Sequence, residues 1–272
     1  MQHKTISILG GGWLGGPLAE ALAESGYTIK VSTASEENCK RLTQIGQNAF
    51  QVNIQSGSVE GGAVATFLEA DILIINITPN RAELDQEQFA SLLPLIEAST
   101  IQKVLFVSST SVYPNVNRRV SEEEGIEVKS HHLYRNEQFL SNNTHFETTV
   151  VRMAGLVGGE RHPGRFFRRT GIIKQANAPI NLIHRVDCIK IIKQIIEQNV
   201  WGETFNACSD THPLKKDFYP VAAKMFGLEV PQLDLGTDIS FKIIDNQKVK
   251  RALQLQLEYP DLLELLKEGN WV

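Results

Sequence analysis

Apolar residues along this chain fall into short, nearly unbroken runs that alternate with segments of helical spacing. Thr5–Leu9 is the first run, and after a cluster of glycines Leu14, Leu18, Ala21 and Leu22 recur on one helix face until Gly26 stops it. The alternation continues through Thr28–Ser32, a helix over 36–45, Phe50–Ile54, Ile72–Ile77, a helix over 84–99, Lys103–Ser108, a helix over 133–140 and Thr148–Arg152. Runs without polar interruption predict strands covered on both faces, because a strand with one wet face alternates. The predicted fold class is therefore α/β, a doubly wound parallel sheet with right-handed crossovers. Beyond Arg152 the pattern loosens into a turn-rich stretch over 155–171, then a strand at Ile180–Ile183, a helix over 187–198, a strand at Glu203–Ala207, and helices near 218–226 and 246–254. No repeat and no Pro- or Ser-rich linker divides the sequence. Residues 1–155 read as the core, and residues 156–272 as a mixed segment that completes it over about 180–210 and forms a small C-terminal lobe.

Composition narrows the class. The 272 residues are 42% apolar and 21% charged, enough to bury a large core and too apolar for a disordered chain. A net charge of -4 argues against a nucleic-acid partner, which calls for a strongly basic face. Cys39, Cys188 and Cys208 are odd in number and far apart, a usage that fits a reducing compartment better than a disulfide framework or a zinc module. No uninterrupted apolar stretch is long enough for a membrane span, and the first residues read as a strand rather than a signal peptide. The expectation is a cytoplasmic protein with no membrane partner.

The strongest local signal is Gly10-Gly11-Gly12-Trp13-Leu14-Gly15, a GxGxxG that joins the first strand to the first helix. Gly10 allows the tight turn, Gly12 lets a pyrophosphate approach the backbone, and Gly15 lets the helix pack closely on the strand, as in a Rossmann-type dinucleotide site. The helix start then offers unpaired N–H groups and the positive end of its dipole. The candidate cofactor-binding residues are Gly10, Gly12, Trp13, Leu14 and Gly15, then Ser32, Thr33 and Ser35 after the second strand, and Asn53, Asn76 and Thr78 beyond the next strands. NAD-preferring proteins usually carry an acid at the end of the second strand, where this chain reads Val31-Ser32-Thr33-Ala34-Ser35 and the nearest acid, Glu36, opens the next helix. The missing carboxylate removes a barrier to a 2′-phosphate, so NADP is slightly preferred over NAD, although no arginine is placed for it. The alternative is that these hydroxyls only form the turn and cap the helix.

The fifth strand ends in Phe106-Val107-Ser108-Ser109-Thr110-Ser111-Val112-Tyr113-Pro114. Together with the glycine turn, Arg152-Met153-Ala154-Gly155-Leu156-Val157-Gly158 and Ile183-His184-Arg185-Val186-Asp187, it resembles in order and spacing, over residues 1–210, the extended short-chain dehydrogenase/reductase superfamily, also called the NAD-dependent epimerase/dehydratase family. The resemblance is to a compact, atypical subgroup. It implies a Rossmann-type sheet with a small C-terminal substrate lobe and an NAD(P)-dependent oxidoreductase or epimerase/dehydratase acting on a sugar nucleotide or a similar polar carbonyl or alcohol. By the same resemblance, Ser109 hydrogen-bonds the reacting oxygen, Thr110 and Tyr113 line the same pocket, and Arg161 and Arg165, in a basic stretch with Arg168, Arg169 and Lys174, contact the substrate's phosphates. Family members commonly pair through two helices, so a homodimer is one expectation.

The resemblance breaks at the family's YxxxK, in which a lysine one helical turn past the tyrosine lowers the pKa of that acid/base. Tyr134 is followed by Gln138 in the lysine position; an alignment through Glu137-Gln138 instead puts Lys129 and Leu133 at the two places. By either alignment the machinery is incomplete, with Ser109 and Tyr134 as catalytic candidates and His131 one turn before Tyr134. This gap supports a second reading, a dinucleotide-binding sensor or regulatory protein with a degenerate site. A hydroxyacid-type dehydrogenase shares the glycine turn but does not account for the SSTSVY segment. His184 and Asp187 lack a third ligand, so no metal site is expected.

Overall fold

The computed structural model describes residues 4–55, 57–77, 86–167, 170–236 and 238–271. Seven strands form the central sheet: β1 (Thr5–Leu9), β2 (Thr28–Thr33), β3 (Ala49–Gln51), β4 (Ile72–Ile75), β5 (Lys103–Ser109), β6 (Glu147–Met153) and β7 (Thr204–Ala207). Their order is β3-β2-β1-β4-β5-β6-β7, which runs outward in both directions from β1 and makes the sheet doubly wound. The pairings from β3 to β5 are parallel. Val150 N–H donates to Glu203 O and Ala154 N–H to Ala207 O, so β6 and β7 also run the same way. All of β4 is buried, as are the last four residues of β1, which is what uninterrupted apolar runs require of strands with helices on both faces. The predicted Rossmann-like α/β class is the fold observed.

The helices are α1 (Gly15–Glu24), α2 (Glu36–Gln44), α3 (Val64–Leu68), α4 (Gln86–Glu97), α5 (His132–Ser141), α6 (Arg185–Glu197), α7 (Lys215–Met225), α8 (Gln247–Ala252) and α9 (Leu262–Lys267). The first residues of the helix expected over 84–99 lie outside the described residues. Among the described residues no helix is long and apolar enough to cross a membrane.

The chain forms two compact units, one of residues 1–108, 128–151 and 195–204, the other of residues 109–127, 152–194 and 205–272. In the first, Ser35 Oγ accepts the Asn38 N–H and caps α2, and Lys30 Nζ donates to Thr66 O and Glu69 O at the end of α3. In the second, Phe218, Ala222, Ile173, Leu262 and Leu266 pack with Val157 and Ile180 into an apolar core.

Two strand expectations change. Phe50–Ile54 divides at Val52: Ala49–Gln51 edges the central sheet, and Asn53–Gln55 pairs antiparallel with Ser58–Glu60. The strand expected at Ile180–Ile183 is Leu182–His184, and it pairs in parallel with Gly155–Val157 outside the central sheet. Two further short parallel pairs, Ile172–Ile173 with Gln232–Leu233 and Arg119–Val120 with Ile243–Ile244, carry too little apolar pattern to be read from sequence.

Candidate functional site

The glycine turn lies where the sheet order reverses, past the C-terminal ends of β1, β2 and β4, the position at which open α/β sheets bind ligands. Its backbone geometry accounts for each glycine separately. Gly10 has φ +107°, and a Cβ there would stand 2.4 Å from Asn76 O; a Cβ on Gly15 would stand 2.0 Å from Gly10 O. These two are fixed by the turn and by the approach of α1 to β1. Gly12 is different: a Cβ would meet nothing within 4 Å, so its missing side chain leaves open space. Sequence spacing gives Gly11 no task, yet a Cβ there would lie 2.5 Å from Val31 Cγ2, and its N–H donates to Ser32 O at 2.6 Å.

A cleft of about 310 Å³ opens beside this turn, lined by Leu9–Gly12, Ser32–Ala34, Val52–Ile54, Asn76 and Ile77. Asn76 Nδ2 donates to Gly10 O at 3.1 Å and steadies the turn. Ser32 is fully buried and its Oγ accepts the Gly10 N–H at 3.3 Å. Ser35 is the cap of α2 and is not part of the cleft lining, which leaves Thr33 as the accessible hydroxyl at the end of β2. Glu36 forms an exposed ion pair with Lys40 at 2.7 Å, and that lysine holds its carboxyl below the usual range. Asn53 lines the cleft, and Leu14 is the buried residue preceding α1, which starts with no side-chain cap. Trp13 is half-buried, and Thr78 lies outside the described residues. An uncapped ten-residue helix aimed past an open Gly12 fits a diphosphate.

The residues expected to carry chemistry occupy different environments. Ser109 ends β5, half-buried, and its Oγ accepts the Ser111 N–H at 3.1 Å, capping the 3₁₀ turn Thr110–Val112. Thr110 is buried. Tyr113 is 2% exposed: its hydroxyl donates to Asn206 Oδ1 at 3.0 Å and accepts from Arg152 Nη1 at 2.6 Å, and Arg152 is also paired with buried Glu127. Burial pushes the Tyr113 pKa up to about 12 despite the neighbouring guanidinium. This side chain belongs to a buried polar network, an environment that the strand-end motif does not announce. Arg161 is exposed at the end of a tight bridge with Gly158, and exposed Arg165 stacks its guanidinium 5.3 Å from the Phe226 ring centre. Arg168 and Arg169 lie outside the described residues.

On α5, Tyr134 is half-buried, and Gln138 is exposed on a cavity shared with Gln102 and Lys103. Those two mark the N-terminal end of β5, whereas the glycine cleft lies at the C-terminal ends of parallel neighbours, so Gln138 stands at the opposite edge of the sheet. At the positions of the other alignment, Glu137 is 1% exposed and accepts from Ser108 Oγ, while Leu133 is buried and Lys129 exposed. His131 caps α5 through Nδ1, which accepts the Leu133 N–H, and stacks on His132. Asp187 is buried and its carboxylate accepts the N–H groups of Glu258 and Tyr259; burial raises its pKa. Among the described residues no group of side chains is arranged to hold a metal ion.

No family model matches the chain. Protein YeeZ of Escherichia coli (strain K12) is 30% identical over 272 residues, covering 96% of this chain and 98% of its own. Among solved structures, a functionally unknown conserved protein from Silicibacter pomeroyi superposes with a TM-score of 0.78 at 22% identity, covering 97% of this chain and 98% of its own. UDP-N-acetylglucosamine 4-epimerase from Bacillus cereus gives 0.74 at 16% identity over 98% and 95%. A short-chain dehydrogenase/reductase superfamily protein from Agrobacterium tumefaciens, with bound NAD, gives 0.74 at 16% identity over 97% and 95%.

Proposed function

This chain belongs to the family of Protein YeeZ and carries the fold of the NAD-dependent epimerase/dehydratases and short-chain dehydrogenase/reductases, and we propose that it is an NAD(P)-dependent oxidoreductase or epimerase/dehydratase-like enzyme acting on a sugar nucleotide or a similar polar carbonyl or alcohol. One observation carries this reading: the open space over Gly12 in front of the uncapped start of α1, in a turn whose other glycines are fixed by packing. A pyridine dinucleotide held there supplies two-electron redox chemistry. Gly12 and the N–H groups that open α1 bind its diphosphate, Thr33 and Asn53 face its adenosine half, and Asn76 holds the turn in shape. Ser109 donates a hydrogen bond to the substrate oxygen, and Tyr134 is the candidate that moves the proton. The case for NADP rests on the absent acid at the end of β2 and on Thr33, since Ser32 is buried and Ser35 faces its own helix.

Fluorescence titration with NADH and NADPH tests the binding. Saturable binding of at least one supports the proposal, and no binding of either removes it. Replacing Ser109 by Ala should then lower turnover on a responsive sugar nucleotide with little change in cofactor affinity. The exposure of Gln138 at the far edge of the sheet and the burial of Leu133 favour a second reading, a dinucleotide-binding regulatory protein. It predicts tight binding with no oxidation or reduction across a sugar-nucleotide panel.

A further inference from the structure

Lys242 is held in place by side chains on both sides of it. Asn117 grips the preceding residue, its N–H donating to Phe241 O at 2.8 Å and its Oδ1 accepting the Phe241 N–H at 2.9 Å. Asn181 grips the downstream side, its Nδ2 donating to Lys242 O at 2.8 Å and its Oδ1 accepting the Ile244 N–H at 2.9 Å. Ile243 and Ile244 also pair in parallel register with Arg119 and Val120. The clamped backbone delivers a half-buried ammonium to Tyr113 O, at the end of the turn that Ser109 begins.

An ammonium has three donors, and here one is engaged by a carbonyl. Among the described residues no carboxylate pairs with Lys242; burial pushes its pKa down and no acid opposes that shift. Two other part-buried lysines are matched by carboxylates, Lys250 by Asp210 at 2.7 Å and Lys103 by Glu147. A cation drawn partly out of water without a counter-charge is unfavourable, and an oxyanion relieves it with a charge-assisted hydrogen bond. Lys215 also donates to a carbonyl, that of Lys174, and burial lowers its pKa too. Its backbone is held too, Lys215 N–H donating to Ala178 O and Lys216 N–H to Ala176 O, and it opens α7 without a side-chain cap, where a helix itself attracts anions. The internal control is therefore Lys250, whose ammonium Asp210 already neutralises.

We propose that the Lys242 ammonium binds an oxyanion group of the substrate, a carboxylate or a phosphate, against the turn that Ser109 begins. Only the identification of this oxyanion as part of the substrate rests on the oxidoreductase reading. In protein labelled with ¹³C at the lysine ε-carbons, the Lys242 signal is assigned by its loss in Lys242→Gln, and sodium acetate and inorganic phosphate are titrated separately. The Lys242 signal should move saturably with one of the two, which identifies the group, while Lys250, paired with Asp210, does not respond. Lys242→Gln keeps a donor for Tyr113 O and removes the charge; read from probe-induced changes in melting temperature, it should bind the responding probe about tenfold or more weakly. A Lys242 signal that is silent to both probes, an equal response at Lys250, or undiminished affinity in Lys242→Gln would overturn the assignment. Failure of the dinucleotide reading shows separately, as absence of NADH and NADPH binding, and leaves this result standing.

Discussion

A single methyl group separates the two kinds of glycine in the opening turn. Gly15→Ala drives its Cβ to within 2.0 Å of Gly10 O, and overpacking of this kind typically costs about 1–3 kcal/mol, so the melting temperature should drop clearly; an unchanged value would mean α1 does not pack on β1 as described. The tasks of Gly10 and Gly15 were legible in the sequence because GxGxxG spacing after a strand leaves the backbone few alternatives. Tyr113 was not legible in the same way. Its hydroxyl meets Arg152 from 39 residues away, and a strand-end motif does not tell which face an aromatic turns to. Tyr113→Phe should leave Arg152 and Asn206 short of a buried partner and cost about 1–3 kcal/mol by urea unfolding. A loss near zero would show that the network does not depend on this hydroxyl. Ser32 illustrates the same limit, since whether a hydroxyl at a strand end faces a ligand or its own turn depends on a rotamer that composition does not set.

Elements with long, uniform patterns were readable, and those whose existence depends on distant partners were not. The apolar runs of β1, β4 and β5 were placed within about two residues because both faces are buried. Helix α9 escaped notice although Asp261-Leu262-Leu263-Glu264 carries its signal, Asp261 Oδ1 accepting the N–H groups of Leu263 and Glu264. The pair formed by Arg119–Val120 and Ile243–Ile244 has two residues a side and is held by Asn117 and Asn181, so nothing local announces it. The 162–165 segment locks onto α7 in a similar way: the His162 ring is packed against Phe226 and Trp271, and a Cβ on Gly164 would lie 2.5 Å from Ala222 O. Burial, with Arg165 adding to it, lowers the His162 pKa from 6.5 to about 4. The unfolded chain therefore binds a proton here that the folded chain resists. His162 favours the fold above about pH 6.5, and that contribution declines as the pH falls towards about 4. Urea midpoints should fall over this window in the wild type and change less in His162→Phe; parallel pH curves would exclude the histidine as their cause.

For the whole molecule, sheet order and the location of the glycine cleft follow from the alternation of strands and helices, because right-handed crossovers leave few ways to wind a parallel sheet. The two compact units each draw on three separate stretches of chain, an interleaving that a composition profile read from end to end does not register. Chemistry was the least legible level. The resemblance to the superfamily breaks at its tyrosine–lysine pair, and the structure adds that Gln138 lies at the edge of the sheet away from the glycine turn. The proposed function depends on dinucleotide binding at that turn, and the decisive variant is Gly12→Val, since the new side chain enters space that is open in the fold and that the diphosphate would need. Fluorescence titration of wild type and variant with NADH and NADPH, beside their melting curves, should show saturable binding in the wild type and at least about tenfold weaker binding in a variant that melts at the same temperature. Absence of binding in the wild type, or equal affinity in an intact Gly12→Val protein, would contradict it.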